Sequence, residues 1–306
     1  MINPFKRKIR LVTHDGKFHA DDVFSTAFLK IYFEQIDQRG IKVFRTRDPQ
    51  KMETGDIVYD IGGKYSLKEG IFDHHQIDGG GKRPNDVPYS AFGLIWKDYG
   101  LKLVSNPEIH QKIDELFVQQ ICAGDTGFND FVIEGLNWKV WSVNEFVQIF
   151  QVGLENDPKK LDKEFTKVVL IAREILEKTI LKYENQYTDA KKVLDIYEKT
   201  NDKRVLVFDQ QYAWKEVLTL KPEPLFVISE NPINHNFYVT AVPITKNSFE
   251  VRKSFPKEWL GKRDEKLKEI TGIKDAVFVH SAGFLAVTES LESAIDMAHQ
   301  SLRREN

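Results

Sequence analysis

Four of the eight histidines fall in the first 75 of 306 residues: His14, His19, His74 and His75. Acids accompany them, at Asp15, Asp21, Asp22, Asp60 and Asp73. One further acid, Asp125 in ICAGDTG, closes an apolar helical run between two glycines. Asp73, His74 and His75 stand side by side after the apolar stretch GIF and shortly before three glycines, an arrangement ill suited to a core and well suited to metal ligation. Mixed imidazole and carboxylate donors suit Mn²⁺, Fe²⁺, Co²⁺ or Zn²⁺ better than Ca²⁺, which prefers oxygen alone. There are more donors than one ion needs. Two ions about 3.5–4 Å apart with a bridging carboxylate would use them, the arrangement of phosphatases, nucleases and aminopeptidases. Asp15 and Asp22 are the weaker candidates. Asp15 suits the THDGK turn, and Asp22 suits a solvated first helical turn beside the helix dipole.

The elements that must position these residues are legible. KIRLVT ends at His14, GDIVYD at Asp60 and EGIFD at Asp73, and all three read as strands. IKVFRTR is a fourth strand, and ADDVFSTAFLKIYFEQ keeps helical spacing at Val23, Ala27, Phe28 and Ile31. This is an α/β pattern, with a parallel sheet whose ligands gather beyond the carboxyl ends of the strands. Helices are predicted over Ser90–Gly100, Asn106–Asp125 and Ser142–Asn156, the last opened by a Ser142/Glu145 capping box. A long amphipathic stretch, Pro158–Thr200, reads as one helix or a helix pair connecting two domains. KRVLVFD, PLFVISE, NFYVTAVPI and SFEVRKSFP then read as strands, followed by a helix at DEKLKEITG. KDAVFVHSAGFLAV reads as strand, turn, strand, and a final helix is capped at Ser290 or Ser293. The expected domains are a metal-binding unit over 1–157, a helical connector over 158–200 and a smaller α/β unit over 201–306.

Bulk properties narrow the class. Net charge is −2, so no global basic field advertises nucleic acid. The single cysteine, Cys122, excludes an intramolecular disulfide and a cysteine-rich zinc site. No apolar run has the length of a membrane span, and the N-terminal stretch lacks an apolar core of signal-peptide length. A soluble cytoplasmic protein with no membrane partner is expected.

THDGKFHADD, VYDIGG, FDHHQ, SAFGLIWKDYG and FVHSAGFLAVTESLESAIDMA together resemble the Myg family within the DHH phosphoesterase superfamily, which also holds RecJ-type exonucleases and family II pyrophosphatases. The resemblance implies a two-domain phosphoesterase with a dinuclear metal site in the interdomain cleft, with Mn²⁺ first and Mg²⁺, Co²⁺ or Zn²⁺ as substitutes. It assigns His14, His19 and Asp60 to one ion, and Asp21, His74 and Asp125 to the other, with Asp60 bridging. Asp73 would orient His74, and His75 would face the phosphate as proton donor or electrostatic clamp. The superfamily usually places acids four and six residues after the first histidine. Here His19 and Asp21 stand five and seven after His14, the Myg spacing.

The second domain resembles the family's substrate domain, which brings basic groups to phosphates. Its candidates are Arg252, Lys253, Arg263, His280 and Gly283, through planar guanidinium forks and a glycine turn exposing backbone N–H groups. GFLAV departs from the glycine pair usual there. Trp259, Phe255 and Phe284 suit core packing better than base stacking, and Lys82 and Arg83 in GGGKRP suit a phosphate-side loop. The implied activity is 3′→5′ exonuclease action on RNA or a short oligonucleotide. Two other readings stand beside it: a phosphatase for pyrophosphate or another small substrate, and a non-catalytic metal-binding regulator. A homodimer through the long helical stretch is the oligomer considered.

Overall fold

The computed structural model describes residues 6–128, 141–154 and 156–304. The chain divides into two units, Met1–Glu184 and Asn185–Asn306, and each contains its own five-stranded sheet.

The first unit begins with β1 (Ile9–Thr13), α1 (Ala20–Tyr32) and β2 (Ile41–Arg45). β1 is buried at four of its five residues, as a strand covered on both faces must be. It pairs parallel with β2, from Ile9 opposite Ile41 to Thr13 opposite Arg45. After the one-turn α2 (Pro49–Met52), the chain returns on the other side of β1 as β3 (Ile57–Tyr59). β4 (Tyr65–Ser66) and β5 (Ile71–Phe72) complete the sheet in the order β2-β1-β3-β5-β4. Four strands run parallel, and β4 is an antiparallel edge that the sequence reading lacked. The chain moves to one side of β1 and then to the other, which opens a crevice beyond the carboxyl ends of β1 and β3.

Helices α3 (Ala91–Tyr99), α4 (Pro107–Ile113), α5 (Gln119–Asp125) and α6 (Val143–Ile149) follow. α4 and α5 meet through a wide π-turn at 114–118, inside what the spacing predicts as one helix. α6 carries the predicted capping box: Ser142 Oγ accepts from Glu145 N, and Glu145 accepts from Ser142 N. It ends at Ile149, short of the predicted Asn156. α1 is buried at every residue except Lys30, because α3, α5 and α6 all pack on it. The stretch read as a helix or a pair is one helix, α7 (Pro158–Lys199).

The second unit contains β6 (Val205–Phe208), α8 (Lys215–Leu218), β7 (Phe226–Glu230), β8 (Phe237–Ala241), α9 (Asp264–Thr271), β9 (Ala276–Val279), β10 (Leu285–Thr288) and α10 (Leu291–Arg303). Its order is β6-β7-β8-β10-β9, parallel only between β6 and β7. Ser290 caps α10 by accepting from Ser293 N. Phe226, Phe255, Trp259 and Met297 are fully buried in its core. SFEVRKSFP, predicted as a strand, is reduced to one bridge between Val251 and Pro243, because prolines at 243 and 256 lack the N–H a ladder needs. Among the described residues no helix is long and apolar enough to cross a membrane.

Candidate metal centre

β1, β3 and β5 are neighbours, so the segments leaving their carboxyl ends lie side by side. His14 follows β1, Asp60 follows β3, and Asp73, His74 and His75 follow β5. Asp60 adopts φ 58°, a left-handed conformation that short polar side chains tolerate better than most. Such strained positions gather at functional sites. His19 and Asp21 arrive at the N-terminus of α1, and Asp125 at the C-terminus of α5.

The six expected ligands come together as two donor sets that share Asp60. One is His14, His19 and Asp60; the other is Asp21, Asp60, His74 and Asp125. Within each set the candidate ligand atoms lie within 4.8 Å of one another. Asp60 spans the two: Oδ2 is 3.1 Å from His14 Nε2, and Oδ1 is 3.4 Å from His74 Nε2. His74 Nε2 also lies 3.1 Å from Asp125 Oδ2 and 3.9 Å from Asp21 Oδ2. His14 Nδ1 meets the Asp15 carbonyl, which only accepts, so Nδ1 carries a proton and Nε2 is the nitrogen left to face the carboxylates, as a donor when protonated and as a ligand when not.

Acceptors facing acceptors need a cation between them, and the charge balance says the same. Burial pushes the pKa of His14 down, but the Asp60 hydrogen bond and the charges of Asp22 and Asp60 outweigh it and raise it to about 9. Burial likewise opposes protonation of His74, yet Asp125, Asp60 and Asp21 raise it to about 11. Burial pushes Asp60 up, but the two histidines hold it well below the usual carboxylate range. Asp21 is raised by burial first and then by its neighbours Asp125 and Asp60. His74 Nε2 is buried with no well-directed hydrogen bond, although three carboxylates surround it. That is the placement of a ligand atom aimed at a shared point. The donor set therefore fits divalent cations.

The surroundings hold these donors in place. Asp21, fully buried, accepts from Ser90 Oγ, Ala91 N and Phe92 N at the start of α3. Asp22 is not the solvated acid its position suggests. It is fully buried, Oδ1 accepts from His19 N, and Oδ2 stands 3.5 Å from His14 Nε2 without a hydrogen bond. Burial pushes its carboxyl up to about 7. The expected solvated first turn is not formed because α3, α5 and α6 pack on α1. The apolar residues on every face of α1 were the available signal.

Asp73 makes no hydrogen bond to the His74 ring. Its Oδ1 accepts from His75 Nδ1 at 2.7 Å and from the backbone N–H groups of His74 and His75, while Oδ2 accepts from Gly63 N. It therefore sets the orientation of His75, whose side chain is 61% exposed. A cavity of about 280 Å³ opens over this centre, lined in part by His19, Asp60, His75, Asp125, Asn144 and Gln148. Gly124 leaves room for Asn144 there: a Cβ would lie 1.8 Å from Asn144 Nδ2 and displace its amide.

The basic candidates of the second unit have internal partners. Arg252 spends its fork on the carbonyls of Thr219, Lys221 and Pro224, and Lys253 Nζ donates to the Arg304 carbonyl. Arg263 is exposed and its guanidinium lies 5.3 Å from the Phe278 ring centroid. His280 Nδ1 accepts from Ala282 N, and Gly283 N donates to the His280 carbonyl, so the turn uses these N–H groups itself. Gly283 holds φ +71°, where a Cβ would strike Ser254 Oγ. In the first unit Arg83 is buried, paired with Asp114 through two nitrogens and set over the Tyr89 ring. Proximity in sequence misplaced it. Lys82 is exposed and bridges Pro88 through the backbone.

Residues 10–302 match the family MYG1_exonuc, described as uncharacterised protein family UPF0160. The chain belongs to this MYG1 family. It is 32% identical to the MYG1 protein of Chlamydia trachomatis, over 96% of both chains. It is 30% identical to a MYG1 protein of Schizosaccharomyces pombe, covering 96% of this chain and 97% of that one. The human relative, named MYG1 exonuclease, is 26% identical over 96% of this chain and 85% of its own. The MYG1 match spans both units, including every donor of the centre.

Proposed function

We propose that this protein is a metal-dependent exonuclease-type phosphoesterase of DHH descent that removes nucleotides from the 3′ end of RNA or short oligonucleotides. The observation that carries the reading is the pair of donor sets sharing Asp60 at the ends of three adjacent strands. The relatives named MYG1 exonuclease support the reaction class. His14, His19 and Asp60 would hold one divalent cation, and Asp21, Asp60, His74 and Asp125 a second, with Mn²⁺ the first choice that the resemblance to the DHH superfamily implies. When bound, such a pair lowers the pKa of water and neutralises charge on a phosphoryl group.

The chain's own residues do the rest. Ser90 and the α3 backbone fix the direction of Asp21. Asp73 fixes the His75 tautomer, with the proton on Nδ1. Nε2 is then the nitrogen that takes up a proton, and as imidazolium His75 is placed to hand that proton to the leaving oxygen or to hold the phosphate. Buried, single Cys122 accords with a reducing cytoplasm.

The test is hydrolysis of a short 5′-labelled RNA, its DNA twin and pyrophosphate with Mn²⁺, beside His74→Ala. A one-nucleotide RNA ladder lost in the variant is expected. Turnover of pyrophosphate alone would move the protein to the small-substrate class. Metal binding without turnover of any substrate would support the regulatory reading.

A further inference from the structure

A second cavity, of about 610 Å³, adjoins the metal centre in the same unit. His19 and Gln148 line both cavities, so the two are neighbours that share these side chains as a common wall. One face of α6 and its flanks forms the wall: Trp141, Glu145, Gln148, Ile149 and Val152 recur at helical spacing. Their chemistry does not suit free surface. Trp141 is 62%, Ile149 56% and Val152 77% exposed, three large apolar groups around one concavity. Apolar groups clustered in a cavity beside a charged centre mark a ligand site.

The polar groups at the rim are free for use. Lys17 is exposed and, among the described residues, pairs with no carboxylate. Gln148 is exposed and its amide has no partner among them. Asn144, one turn before Gln148 and facing the metal side, has a buried Oδ1 with no hydrogen bond. The cavity therefore offers an aromatic plane, a free amide and a free ammonium, next to the centre that would take the phosphate.

We infer that this cavity seats the terminal nucleoside of the substrate. The base lies on Trp141, the ribose meets Gln148, and Lys17 meets a phosphate oxygen. The inference rests on the nuclease reading and extends it: the enzyme recognises a nucleoside monophosphate unit rather than a bare phosphate. A stacking plane carries no sequence code, so any base is accepted. Inorganic phosphate or pyrophosphate has nothing to place on Trp141.

The experiment measures the affinity of the full-length, Mn²⁺-loaded protein for AMP and for ribose 5-phosphate, by calorimetry. Wild type, Trp141→Ala and Trp141→Phe are compared, with melting temperatures as a fold control. The wild type is expected to prefer AMP by about 5- to 150-fold, the worth of one base–aromatic contact. Trp141→Ala removes that preference and leaves ribose 5-phosphate affinity intact, and Trp141→Phe restores most of it. Equal AMP affinity in wild type and Trp141→Ala would overturn the inference, as would equal affinity for the two ligands in wild type. The RNA ladder assay on wild type separates the two claims. A ladder without a Trp141 effect leaves the nuclease and sinks the nucleoside site. A Trp141-dependent AMP preference without a ladder leaves the site and sinks the nuclease.

Discussion

Replacing Asp60 with asparagine isolates the feature on which the centre depends. Asp60 is the residue common to the two donor sets, with one oxygen towards His14 and the other towards His74. Asparagine preserves shape and tolerates the φ of 58°. Alanine would add roughly 1–2 kcal/mol of left-handed backbone strain, so Asp60→Asn separates electrostatics from folding. Losing a group that merely orients a ligand already weakens metal binding by about 10- to 100-fold. Losing a charged ligand costs at least the upper figure, and here both sets lose one. Mn²⁺ binding to EDTA-stripped protein should therefore weaken by at least about 100-fold at each set. Calorimetric titration reads this directly, with a thermal melt to show that the variant is folded. A folded Asp60→Asn protein with the wild-type isotherm would refute the assignment of Asp60 as a shared ligand.

Further outcomes follow from the same geometry. The folded-state pKa values of His14 and His74 lie at about 9 and about 11, above the ordinary 6.5, and that of Asp22 at about 7, above 3.8. Raised values give stability that is full below the unfolded pKa and is lost as pH rises through the folded one. The melting temperature of the metal-free protein should fall from pH 6 to pH 10, and saturating Mn²⁺ should flatten the slope, because the ions replace the protons. A metal-free melting temperature that rises over that range would contradict the assignment. Asp73→Asn should lower kcat by about 10²-fold or more if His75 moves a proton. Its effect should not add to that of His75→Ala, and additive losses in a double-mutant cycle would separate the two residues. Arg83→Ala should cost about 3–5 kcal/mol in urea unfolding by stranding Asp114, with RNA turnover per folded molecule retained. A selective loss of turnover would return Arg83 to the substrate side.

Much of the centre could be read from sequence because its residues punctuate strand ends. His14, Asp60 and Asp73 each follow a run of β-branched or aromatic residues, and strand order then sets them side by side. The positions that were misread share another cause. Asp22 looks solvated until three helices are seen to cover α1. Arg83 stands close to the histidines in the chain, yet its fork finds Asp114 on the far side of α3 in sequence. Arg252 has the planar fork a phosphate would want, and backbone carbonyls take it first. Trp141 carries no local signal at all. Its meaning comes from a cavity that forms only when α6 meets the Lys17–His19 segment.

The most direct measurement is anomalous scattering from crystals grown with Mn²⁺. The account predicts two peaks, one among His14, His19 and Asp60 and one among Asp21, Asp60, His74 and Asp125, with Asp60 touching both. No peak at the strand ends, or a single peak that leaves either set without an ion, would contradict it.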